Sequence, residues 1–82
     1  MSDKYFIEYE NYGYVDIVIK ELMDQKGITK YEMAKRTGIR HQTVKNYYDN
    51  VALTKVDLDV ISKMCYILDC DISDILKYRK PV

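Results

Sequence analysis

Residues 28–48, ITKYEMAKRTGIRHQTVKNYY, decide the fold. Thr29 followed three positions later by Glu32 is a capping box, in which the hydroxyl accepts from a free helix amide and the carboxylate reaches back to the cap amide. From there Met33 and Ala34 fall inward and Lys30, Lys35 and Arg36 outward, so the spacing predicts a helix over 30–37 that ends at Gly38. A second helix is predicted over 41–48, with Val44 and Tyr47 inward and His41, Gln42, Lys45 and Asn46 outward. Only Gly38, Ile39 and Arg40 separate the two. Helices that cross steeply through so short a turn need a small side chain at the crossing, here Ala34, and a glycine in the turn.

Charge singles out the same stretch. Residues 26–48 carry Lys26, Lys30, Lys35, Arg36, Arg40 and Lys45 against the single acid Glu32, a net of +5. Residues 1–25 sum to −4 and residues 49–82 to −1, so the net charge of zero conceals a positive surface confined to one motif. A basic stripe on two short helices is the electrostatic footprint expected of a DNA reader.

Eighty-two residues make one domain, and 48% apolar with 32% charged residues is globular composition rather than disorder. No apolar run approaches the roughly 20 residues of a membrane span and no signal-peptide core is present, so a cytoplasmic protein that does not meet the membrane is expected. Cys65 and Cys70 are read as reduced thiols without a site role, because zinc needs about four ligands and the single histidine, His41, lies in another segment. No second histidine, glycine-rich phosphate loop or metal-ligand cluster is present, so no enzyme, cofactor or metal is expected.

Working outward, Val15, Val18, Ile19, Leu22 and Met23 recur at helical spacing and predict a first helix over 15–26, stopped by Gly27. Beyond a loop at 49–56, Asp57 caps a helix over 58–69 that buries Leu58, Ile61, Met64, Cys65 and Leu68. Asp71 caps a last short helix over 72–78 with Ile75 and Leu76 inward, and 79–82 form a basic tail. Residues 1–14 form an acidic arm in which Tyr5, Ile7 and Tyr9 alternate with Phe6, Glu8 and Glu10, a weak strand pattern. So many rings (Tyr5, Phe6, Tyr9, Tyr12, Tyr14) favour docking of this arm, on its own chain or on a second copy.

The sequence resembles the Cro/cI-type (lambda repressor-like, XRE) helix-turn-helix family in its short stand-alone bacterial form. Ile19 and Leu22, Gly27-Ile28-Thr29, Ala34, Gly38, Ile39 and Val44, Leu58, Ile61 and Leu68, and Asp71 to Leu76 carry the resemblance. It implies an all-α, five-helix domain with a short aromatic N-terminal arm, and a transcriptional regulator that binds double-stranded DNA. Where many members pair an arginine late in the first helix with a glutamate ending the third, this chain has Met23 and Tyr48, which reads as an apolar replacement.

By match to the family's reading positions, His41, Gln42 and Asn46 are implied base contacts, with Lys45 beside them. Gln42 and Asn46 have the amide geometry for adenine, Lys45 suits guanine or a phosphate, and His41 could donate to guanine. Lys30 falls at the phosphate-clamp position, where helix amides add to its charge, and Arg40 and Thr43 are further phosphate candidates. About four to six cations on phosphates per subunit would give a salt slope near −0.9 per contact. One helix reads only a few base pairs, so a homodimer on a two-fold site is expected. The alternative is an antitoxin-like or other protein-interaction module that keeps the fold and uses its N-terminal arm for a protein partner.

Overall fold

The computed structural model describes residues 12–50 and 53–81. A strand β1 (Tyr14–Ile17) leads into α1 (Ile19–Lys26), α2 (Lys30–Thr37), α3 (His41–Asp49) and α4 (Leu58–Leu68), and a 3-10 turn (Ile72–Asp74) leads into β2 (Leu76–Arg79). The strands pair antiparallel in the register Tyr14↔Arg79, Val15↔Tyr78, Asp16↔Lys77 and Ile17↔Leu76. The described residues are thus mostly helical, with four α-helices and a two-stranded sheet in place of the five-helix, all-α arrangement expected.

Three boundaries change as a result. The first helix begins at Ile19, not at 15, because Val15 and Ile17 lie in β1. The helix expected over 72–78 is a single 3-10 turn followed by a strand. Arg79 belongs to that strand rather than to a tail, with its guanidinium 3.1 Å from the Asp16 carboxylate. The strand pattern expected at Tyr5–Tyr9, and the arm it belongs to up to residue 11, lie outside the described residues.

Local chemistry explains both ends of α2 and the start of α4. Thr29 accepts from the Glu32 amide and Glu32 reaches back to the Thr29 amide, completing the capping box, a device whose hydroxyl typically contributes about 0.5–2 kcal/mol. Asp57 accepts from the Asp59 and Val60 amides to start α4. Gly38 closes α2 at φ 76° with nothing near the place a Cβ would occupy, so the turn needs glycine for its backbone angle rather than for room. Thr37 stabilises the same turn: its hydroxyl donates to the Met33 carbonyl (2.6 Å) and accepts from the Ile39 amide (3.1 Å). Gly13, at φ 81°, is constrained twice, since a Cβ there would collide with the Arg79 carbonyl oxygen.

The core draws on β1 and on α1 to α4. Ile17 comes from β1, Ile19 and Met23 from α1, Met33 from α2, Val44 and Tyr47 from α3, and Ile61, Met64 and Leu68 from α4, with Ile75 closing it before β2. Burying one such aliphatic side chain contributes about 1.5–3 kcal/mol. Leu58, expected in this stripe, instead stands 73% exposed in the first turn of α4. The Tyr47 hydroxyl accepts from the Asp57 amide at 2.9 Å, tying α3 to the start of α4. Cys65 and Cys70 are free, partly buried thiols, and burial, then the neighbouring Cys65, pushes Cys70 up to about 11.

Candidate nucleic-acid interface

Val44 and Tyr47 fix the orientation of α3 by sinking into the core, which turns His41, Gln42 and Lys45 to solvent and leaves Asn46 half-buried beside them. These four positions make one strip, because residues one turn apart share a helix face. Gln42 Nε2 donates to Asn46 Oδ1 at 2.9 Å, so the two amides are joined rather than independent. The pair still offers the Gln42 oxygen as an acceptor and the Asn46 nitrogen as a donor.

Lys45 is drawn away from the strip, with its ammonium 2.7 Å from Asp49 one turn on. That bond, ahead of any other influence, holds the Asp49 carboxyl below the usual carboxylate range. Arg40 is exposed in extended conformation immediately before α3 and supplies no side-chain cap. Thr43 is half-buried on the first turn.

The second part of the surface gathers at Tyr48. Its hydroxyl donates to Asp24 Oδ1 at 2.7 Å, and Lys20 Nζ lies 2.9 Å from the other oxygen of that carboxylate. The Tyr48 bond first, and then Lys20, lower the Asp24 carboxyl, and the same bond to Asp24 raises the Tyr48 hydroxyl. Lys30 Nζ stands 4.8 Å from the centroid of the Tyr48 ring. Met23 is fully buried, but Tyr48 makes a polar tie to α1, so the apolar replacement expected of Met23 and Tyr48 is only half correct. The sequence held one clue: Lys20 and Asp24 sit four apart, which puts them on one helix face.

Of the six bases at 26–48, Arg36 pairs with Glu32 and Lys45 with Asp49. Among the described residues, no carboxylate lies in ion-pair distance of Lys30, Arg40, Lys35 or Lys26. The positive charge of Lys30 and Arg40 therefore remains available beside α3. Among the described residues no cluster of three His, Cys, Asp or Glu side chains could hold a metal ion, and no described helix is long and apolar enough to cross a membrane.

Two short helices joined by a glycine turn, the first capped by Thr29 and the second presenting a polar outer face, define a helix-turn-helix domain. The chain belongs to the Cro/C1-type HTH DNA-binding domain family, whose model matches residues 18–81. It is similar in fold to a solved crystal structure of the transcriptional regulator VanUg, with a TM-score of 0.67 and 23% identity over 94% of this chain and 99% of the other. No curated protein matches the sequence.

Proposed function

We propose that this protein is a sequence-specific transcriptional regulator that reads the major groove of DNA with α3, as a homodimer on a two-fold site in the bacterial cytoplasm. The observation that carries the reading is the strip His41, Gln42 and Asn46 on the outer face of α3, flanked by Lys30 and Arg40, which have no carboxylate in ion-pair distance among the described residues. A major groove admits a helix, and an acceptor beside a donor complements the N6 amine and N7 of adenine. Lys30 and Arg40, with Thr43, serve as phosphate contacts that set the register of the helix. Lys45 is a reserve cation, since approach to a base or phosphate means leaving Asp49. Two copies are needed because a single reading helix covers only a few base pairs.

One observation favours an additional role in protein interaction. The cross-strand pair Val15 and Tyr78 stays 57% and 59% exposed at the outer end of the sheet, an apolar surface suited to a second protein. The two roles are compatible.

Binding to double-stranded DNA is expected to weaken steeply with salt, with log K falling by about 0.9 per log unit of salt for each phosphate neutralised. Fluorescence anisotropy across a salt series measures this slope. A slope near zero would contradict the placement of Lys30 and Arg40 at the DNA backbone.

A further inference from the structure

We infer that Tyr48 is the positioning residue for Lys30, holding its ammonium out for a phosphate on a ring face rather than on a carboxylate. The inference rests on the DNA-binding reading above and deepens it. Lys30 opens α2 and Tyr48 sits near the end of α3, so their contact joins the two helices of the motif. The 4.8 Å from the ammonium to the ring centroid lies inside the roughly 6 Å over which a ring face attracts a cation. The ring is itself anchored, because its hydroxyl donates to Asp24 on α1 at 2.7 Å.

Charge accounting gives the arrangement its meaning. Two carboxylates lie beside Tyr48: Asp24 accepts its hydroxyl and Asp49 follows it in the chain. Each is held by a different lysine, Asp24 by Lys20 at 2.9 Å and Asp49 by Lys45 at 2.7 Å. Among the described residues Lys30 is left to the ring, which Lys20 approaches less closely, at 5.5 Å. A carboxylate partner would cancel its charge, whereas a ring face holds a cation through its quadrupole and leaves the full positive charge for an incoming phosphate. A lysine side chain otherwise samples many rotamers, and restricting it before binding lowers the entropy lost when the contact forms.

The test is the salt dependence of binding by the full chain to mixed-sequence double-stranded DNA. Lys30→Ala is expected to flatten the slope by about 0.9 for each subunit. Tyr48→Leu should flatten it by most of the same amount, Tyr48→Phe should recover it, and the Lys30→Ala/Tyr48→Leu double variant should be no flatter than Lys30→Ala. Weaker binding by Tyr48→Leu at an unchanged slope, or a loss that adds to that of Lys30→Ala, would overturn the inference alone. A slope near zero for the unmodified chain would overturn the DNA-binding reading and this inference with it. A second measurement needs no variant: in NMR spectra of the free protein the Lys30 ε-methylene should show a ring-current shift from Tyr48. An unshifted resonance would also overturn the inference.

Discussion

Leu68→Ala is expected to remove about 2–5 kcal/mol of stability, the range for emptying a fully buried leucine site whose surroundings relax only partly. Leu68 ends α4 and is completely enclosed. Domains hold only about 0.05–0.15 kcal/mol per residue in reserve, so a chain of 82 residues would lose a large share of its stability. Leu58→Ala supplies the contrast. Both leucines fit one apolar helical stripe by spacing, yet Leu58 is 73% exposed, so its truncation should stay within about 0.5 kcal/mol. Urea denaturation separates the two: the midpoint of Leu68→Ala should fall sharply at unchanged m, and that of Leu58→Ala should barely move. Equal effects would contradict the placement of α4.

Gln42→Ala and Asn46→Ala should each remove about 1–3 kcal/mol of discrimination between the preferred base and its competitors. Because Gln42 donates to Asn46 at 2.9 Å, the pair works as a unit, and the double variant should lose little more than either single one. Affinity for mixed-sequence DNA and its salt slope should change little, since neither amide carries charge. Competition binding with single-base variants of a selected site measures the effect. Full additivity would mean that the two amides contact DNA independently.

The central motif was legible because its signals are local. The Thr29–Glu32 capping box and the stops at Gly27 and Gly38 act within a few residues of one another, and α2 runs over Lys30–Thr37 as its spacing predicts. The sheet was not legible, because each strand is defined by a partner at the far end of the sequence, as in Val15↔Tyr78. Val15 and Val18 stand at helical spacing with Ile19 and Leu22, so periodicity alone extended α1 backwards; the pairing with β2 overrides it. Asp71 does open a turn, its amide donating to the Asp74 carboxylate at 2.9 Å, but the turn stops after three residues because Leu76 is taken into β2.

The candidate surface shows the same division. Which side chains of α3 face outward followed from Val44 and Tyr47, whose apolar character fixes the buried side. What those side chains do to one another was only partly readable. The Lys45–Asp49 pair lies at four-residue spacing and was visible in principle. The bond from Tyr48 to Asp24 depends on how α3 lies against α1, and residue types alone do not specify that. The ring under Lys30 follows from the same packing.

The measurement that tests sequence reading by α3 most directly is selection from a randomised pool of double-stranded DNA, with sequencing of the fraction retained as salt is raised. The expected result is an enriched two-fold motif with half-sites about one helical turn apart, whose enrichment disappears in Gln42→Ala and Asn46→Ala. Uniform retention without a motif, or none at low salt, would contradict it and make the helix-turn-helix a scaffold for a protein partner.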